Sequence, residues 1–191
     1  LRFKKIILLD RDGVINIKME TGKYVTNFSE FVFITEHIEA LEVLANFGFS
    51  FIVITNQACI SLGTMTIEKL SSIHKLMVSE LGKKGINIID IYVSPDHWGN
   101  IRGTRKPNPD LFFIASEKHS LWLEQSIYIG DEIRDVIASK NAGCGVVLIS
   151  KNSDIRFINN VDLPAVIKFD SNLGACKNFI LEHYSNWERI L

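Results

Sequence analysis

Short apolar runs alternate with amphipathic stretches along this 191-residue chain. The alternation predicts an α/β fold, a doubly wound and mostly parallel sheet covered by helices on both faces. Three observations carry that expectation. The apolar runs Ile6–Leu9, Phe51–Ile54 and Ile127–Ile129 are continuous, as in strands buried on both faces. The stretches between them repeat their apolar residues at helical spacing. No Pro/Gly/Ser-rich linker divides the chain, so residues 1–191 read as one domain with enough material for a sizeable core.

Taken in order, the first strand stops abruptly on Asp10-Arg11-Asp12-Gly13, and residues 13–30 form a long polar connection. Phe31–Ile34 reads as a small extended piece. Thr35 then caps a helix with Ile38, Leu41, Leu44 and Ala45 on one face, ended by Gly48. Phe49–Thr55 is the second strand. Thr66 opens a helix presenting Leu70, Ile73, Leu76, Met77 and Leu81, stopped near Gly82 and Gly85. Ile88–Val93 is the third strand, followed by a loop over residues 94–107. Asn108-Pro109 is a helix start, a capping side chain before proline at the first helical position, with Leu111, Ile114 and Ala115 beyond it. The fourth strand, Ile127–Ile129, ends at Gly130-Asp131, and a helix with Ile133, Val136 and Ile137 runs to Gly143. Gly145–Ile149 and Ala165–Phe169 are the last strands, and Phe179–Leu181 lies in a closing helix.

The charge is nearly balanced, 21 basic against 22 acidic residues, which speaks against a nucleic-acid surface. Cys59, Cys144 and Cys176 are odd in number and widely spaced, so neither a disulfide framework nor a zinc cluster is expected. No run approaches the roughly 20 apolar residues of a membrane span, and no apolar leader opens the chain. A monomer in the cytoplasm, with no membrane or nucleic-acid partner, is the expectation.

Side chains two apart on an extended chain point the same way, so Asp10 and Asp12 should project together, with Arg11 turned away. Paired carboxylates need a counter-charge, and an oxygen-only site suits Mg2+. In parallel sheets ligands bind beyond the carboxyl ends of the strands. Asp10–Asp12, Thr55-Asn56-Gln57, the loop with Arg105-Lys106-Pro107, and Gly130-Asp131 through Asp135 all belong to that edge. This set suits displacement at phosphorus. Asp10 would attack, and Asp12 would act as general acid and base. Thr55 and Lys106 would stabilise the phosphoryl oxygens. The cation would rest on Asp10, Asp131 and Asp12, the last through its backbone carbonyl. A phospho-acceptor receiver domain shares an acidic pocket, a threonine and a lysine, but its acceptor follows the third strand, where Asp96 lies here. His97 and Trp98, in the same loop, either touch substrate or pin the loop.

These motifs resemble the haloacid dehalogenase superfamily of phosphatases over residues 4 to about 150. Asp-Arg-Asp-Gly-Val-Ile-Asn (10–16), Thr-Asn-Gln (55–57) and Arg-Lys-Pro (105–107) are similar to one of its branches. That branch holds heptose-bisphosphate phosphatases and histidinol-phosphatase domains. The resemblance implies a Rossmann-like, essentially capless enzyme acting on a small phosphorylated sugar, with histidinol phosphate as the alternative. It implies Asn56, Gln57 and Arg105 as substrate contacts, and Gly22 and Tyr24 as counterparts of the branch's substrate loop. The chain also departs from the branch. Its zinc-ligand positions read Ser94, Asp96, Arg102 and Thr104, so no structural zinc is expected. The stretch after Thr-Asn-Gln, Ala58–Gly63, has Leu62 in place of a basic residue, and the lysine of the fourth motif is Glu132. Arg102, Arg105 and Lys23 are candidates to restore the lost charge.

Overall fold

The computed structural model describes residues 4–100, 103–150, 164 and 167–190. Six strands form one sheet: β1 (Ile6–Leu9), β2 (Ser50–Asn56), β3 (Ile88–Ser94), β4 (Ile127–Gly130), β5 (Gly145–Ile149) and β6 (Ile167–Asp170). Their spatial order is β3-β2-β1-β4-β5-β6, and every pairing is parallel. The chain winds outward from β1 to β3, then crosses back to β4 and winds the other way. The reversal falls between β1 and β4, the switch point at which doubly wound sheets bind ligands.

Alternation along each strand explains why the runs are apolar throughout. Ile7 and Leu9 of β1 join a core with Phe51, Val53, Ile129 and Val147. It is covered by α1 (Thr35–Asn46), α2 (Ile67–Gly82) and α5 (Leu173–Ile190). Ile6 and Leu8 join Ile52, Ile54, Tyr128 and Val146 on the other face, under α3 (Asp110–His119) and α4 (Ile133–Ala142). Each fully buried aliphatic side chain contributes roughly 1.5–3 kcal/mol. The three cysteines are free and buried. Among the described residues no helix is long and apolar enough to cross a membrane.

Several boundaries differ from the sequence reading, each for a local reason. The N-cap of α1 is Ile34, whose carbonyl accepts from the backbone N–H of His37 and Ile38, so Thr35 is already helical. Phe31–Ile34 is reduced to one antiparallel bridge between Phe33 and Asn16. The buried stripe of α2 is Leu70, Ile73, His74, Met77 and Leu81, and Leu76 is exposed because it lies about a third of a turn from the centre of that stripe. The α3 cap is Pro109, since the Asn108 amide donates instead to the carbonyl of Gly103 at 2.6 Å. Phe112 takes the buried place expected of Ile114, which is exposed. In the sixth strand, residues 165–166 lie outside the described residues.

His74 is buried beside Arg11, with its Nε2 3.1 Å from the guanidinium Nη1. Burial, reinforced by the Arg11 charge, pushes its pKa down to about 3. The unfolded chain therefore binds a proton at His74 below its ordinary pKa near 6.5, and the folded chain does not. Stability should fall as pH drops through that window, by at most about 1.4 kcal/mol per pH unit from this group. Urea unfolding at about pH 7.5 and about pH 5 should show a shallower pH slope for His74→Gln than for the wild type. Equal slopes would exclude His74 as the titrating group.

Candidate active site

Because the sheet is parallel, the segments leaving β1, β2, β3 and β4 open on one edge. At its centre the Lys106 ammonium lies 2.7 Å from Asp10 Oδ2 and 2.8 Å from Asp135 Oδ1, with only 1% of its side chain exposed. The Tyr128 hydroxyl also contacts it, and the same ring lies 5.0 Å below it. Burial works against the Lys106 charge, yet the two carboxylates outweigh it and raise its pKa. Asn56 clamps the segment: its Oδ1 accepts from the Lys106 backbone N–H at 3.0 Å, and its Nδ2 donates to the Lys106 carbonyl at 3.2 Å.

Asp135 stands in the first turn of α4. Its Oδ2 accepts from the backbone N–H groups of Asp131 and Glu132 at 3.1 and 3.0 Å, closing the helix start. Glycine is required nearby. A Cβ on Gly130 would lie 2.4 Å from that of Asp135, and one on Gly13, at φ +83°, would lie 2.3 Å from Asp131 Oδ2.

Carboxylate oxygens of Asp10, Asp131 and Asp135 all lie within 4.8 Å of one another. Burial raises the Asp10 pKa to about 6, with Lys106 opposing and Asp135 and Asp12 adding to the rise. Burial, Asp135 and Asp10 raise Asp131 to about 8 against the pull of Lys18. Asp131 Oδ1 is buried with no hydrogen-bond partner. An orphaned carboxylate oxygen within an all-oxygen, excess-negative group is what a hard divalent cation satisfies, so the residues present fit one.

The Asp12 carboxylate does not join this group. Arg11 Nη2 donates to both its oxygens at 2.8 and 2.9 Å, Asn16 Nδ2 to Oδ1 at 2.9 Å, and Gln57 Nε2 to Oδ2 at 2.7 Å. Burial would raise the Asp12 pKa, but Arg11 and the amide donors overcome it and hold it below the ordinary value. Arg11 is therefore not turned away as expected but buried against its neighbour. The physical reason is that β1 ends at Leu9, and the Arg11 carbonyl accepts from the N–H groups of residues 14, 15 and 16. This turn ends the alternation.

Thr55 is buried, and its Oγ1 accepts from Gln57 Nε2 at 3.1 Å. Asn56 and Gln57, expected against substrate, thus have partners within the protein. A cleft of about 450 Å³ brings Asp10, Asp12, Gly22, Tyr24, Thr55 and Arg105 together. Lys23 lines it too but pairs with Glu20 at 2.7 Å, and Arg102 lies outside the described residues. At the positions where zinc ligands occur in the resembled branch, the Asp96 carboxylate ties the loop. It accepts from Ser94 Oγ, Asn100 Nδ2 and Thr104 N at 3.2, 2.8 and 2.8 Å. Arg105 Nη1 donates to the Asp96 carbonyl at 3.1 Å.

Sequence reasoning missed Lys18, whose ammonium is 2.8 Å from Asp131 Oδ2 and also contacts Glu132. It missed Tyr128 and Arg134 as well. None of these three carries a motif, whereas Asp135, four positions after Asp131 at a helix start, belongs to the Gly130–Asp135 stretch that the sequence already places at this edge.

A trapped lysine among carboxylates at the switch point of a doubly wound sheet is the equipment of an α/β hydrolase working on an anionic group. The sequence profile of the haloacid dehalogenase-like hydrolases matches residues 9–149, and the chain belongs to that family. Among curated relatives, the D-glycero-beta-D-manno-heptose-1,7-bisphosphate 7-phosphatase of Pasteurella multocida is 32% identical over 182 residues, 86% of this chain and 97% of that protein. The D-glycero-alpha-D-manno-heptose-1,7-bisphosphate 7-phosphatase of Photorhabdus laumondii is 31% identical over 146 residues, 73% of this chain and 78% of that protein. A solved structure of D,D-heptose 1,7-bisphosphate phosphatase from B. bronchiseptica, complexed with magnesium and phosphate, superposes with a TM-score of 0.82 at 25% identity. The match covers 93% of this chain and 98% of that one.

Protons held by Asp131, with its pKa about 8, and by Asp10, about 6, must leave when a cation binds. Magnesium affinity should therefore rise with pH between about 6 and 8, up to about tenfold per unit for each proton displaced. Calorimetric titration in buffers of different ionisation enthalpy should count those protons. A binding enthalpy that does not vary with the buffer would refute the shifts.

Proposed function

We propose that this chain is a magnesium-dependent phosphatase that removes the 7-phosphate of D-glycero-D-manno-heptose 1,7-bisphosphate through an aspartyl-phosphate. The observation that carries it is Lys106 held between Asp10 and Asp135, with Asp10 lining a cleft that also holds Thr55 and Arg105. Relatives named for this activity, over nearly the whole chain in the Pasteurella case, support the choice of sugar.

Asp10 attacks phosphorus, so an acyl-phosphate bond forms while the bond to the sugar oxygen breaks. Lys106 and the Thr55 hydroxyl stabilise the phosphoryl oxygens as charge moves onto them. Three donor groups, from Arg11, Asn16 and Gln57, hold Asp12 as a carboxylate, which suits it to take the proton of the hydrolytic water. To protonate the leaving alkoxide in the first step, Asp12 must pick up a proton as substrate displaces one of those donors. Asp10, Asp131 and the backbone carbonyl of Asp12 would hold Mg2+, which supplies the positive charge that lets an anionic nucleophile meet an anionic phosphate. Phosphate monoesters need on the order of 20 kcal/mol or more of barrier reduction, beyond the reach of any one group. A cytoplasmic location belongs to the same proposal and is supported by the three free cysteines.

Phosphate release should be measured with magnesium on heptose 1,7-bisphosphate, histidinol phosphate and a 3′-phosphorylated oligonucleotide. We expect turnover of the heptose bisphosphate far ahead of the others, and preferential turnover of histidinol phosphate would replace the substrate assignment. Asp10→Asn should lower the rate at least about a thousandfold with the fold retained by circular dichroism. A rate near wild type would remove Asp10 as nucleophile.

A further inference from the structure

Arg11 sits behind Asp12, and all three nitrogens of its guanidinium are engaged. Nη2 reaches both Asp12 oxygens at 2.8 and 2.9 Å, and Nε reaches Oδ1 at 3.3 Å. Nη1 meets His74 Nε2, on α2, at 3.1 Å. The Phe31 ring, itself stacked on Phe28, covers the group with its centroid 5.8 Å from Cζ. Arginine has no lone pair to accept with, so Nε2 is the acceptor and the ring proton belongs on Nδ1. With its pKa pushed down to about 3, the ring keeps that lone pair at neutral pH. Arg11 is 1% exposed and the Asp12 side chain 23%, so the carboxylate opens on the cleft while its counter-charge is fixed from behind.

The bidentate pair holds the Asp12 carboxylate to the guanidinium fork, and His74 and Phe31 set the orientation of that fork. Removing the Nη1 acceptor would strand a buried donor, and the fork would turn to find another partner. Asp12 would turn with it. A general acid must lie within hydrogen-bond reach of the leaving oxygen, and a misplacement of about 1 Å costs up to about a hundredfold in rate.

We propose that His74, acting through Arg11, is a positioning residue for Asp12, fixing the carboxylate that protonates the leaving alkoxide. The inference rests on the phosphatase reading and extends the machinery to α2, a helix absent from the lining of the cleft.

The test compares kcat/KM on an alkyl and an aryl phosphate for wild type, His74→Met and His74→Gln. The alkyl ester is whichever of heptose 1,7-bisphosphate and histidinol phosphate the wild type turns over faster. The aryl ester is 4-nitrophenyl phosphate, whose leaving group departs without a proton. His74→Met keeps the bulk and removes the acceptor. It should lower kcat/KM about ten- to a hundredfold on the alkyl ester and less than about threefold on the aryl ester. His74→Gln, with a side-chain carbonyl to accept from Nη1, should recover most of the loss. Packing damage alone would lower both esters together. Equal losses on the two esters, an unchanged alkyl rate in His74→Met, or no recovery in His74→Gln overturns the proposal. Should His74→Met not fold by circular dichroism, Arg11→Lys, which keeps the charge but not the fork, is judged by the same ratio. A wild type that releases phosphate from neither ester overturns the phosphatase reading, and the positioning role with it.

Discussion

Lys106 keeps a full charge with 1% of its side chain in contact with solvent, and an uncompensated ammonium at that depth would cost several kcal/mol. Asp10 and Asp135 make the position tolerable, but only if three separate chain segments arrive in register. Asp10 comes from the end of β1, Asp135 from the first turn of α4, and Lys106 from the loop after β3. Tyr128, on β4, supplies the floor. Truncating any one of the three charges strands the others, a loss of about 3–5 kcal/mol for a buried pair. The sheet edge is therefore held as one unit. Asn56 extends the constraint to β2 by gripping the Lys106 backbone on both its N–H and its carbonyl.

The knot leaves negative charge over. Three carboxylates have oxygens within 4.8 Å of one another and the buried Lys106 pairs with two of them, and Asp131 takes a pKa near 8 with one oxygen unpartnered. Lys18 offsets part of the excess from the solvent side, and it is 41% exposed. A cation entering the group would complete what Lys106 and Lys18 begin. Close approach matters as much as charge: Gly13 and Gly130 stand where a methyl group would collide with Asp131 and Asp135, so the carboxylates can crowd together only above bare backbone.

Much of this was legible in the sequence because it rests on short-range rules. Continuous apolar runs gave β1, β2 and β4, and the parallel topology then placed Asp10, Thr55, Lys106 and Asp131 on one edge. The failures came where a rule ended within a residue or two. Alternation from Ile6 predicts that Arg11 points away from Asp12, but the turn after Leu9 breaks the period and brings the guanidinium onto the carboxylate. Helical spacing admitted Leu76 and omitted His74, because nothing local says that a histidine on α2 will accept from Arg11. Lys18 and Arg134 carry no motif at all. Their ion pairs with Asp131 and Glu132 follow from which segments face each other across the cleft, and spacing along one chain does not encode that.

Asp10 and Asp12 show how little separation is needed to give like groups unlike chemistry. They are the same residue type two positions apart, yet Asp10 is raised to about 6 and Asp12 is lowered. The cause is orientation: Asp10 faces Asp135 and Asp131 and shares the buried Lys106 with Asp135, while Asp12 faces a guanidinium and two amides. Environments that push paired carboxylates apart in pKa are how one site performs both acid–base and nucleophilic work. The turn at residues 11–16 thus sets the charge states of the pair, by bringing Arg11 and Asn16 onto Asp12 and not onto Asp10. Had β1 stayed extended through Asp12, both aspartates would have crowded into the same pocket, and neither Arg11 nor Gln57 could have held one of them apart.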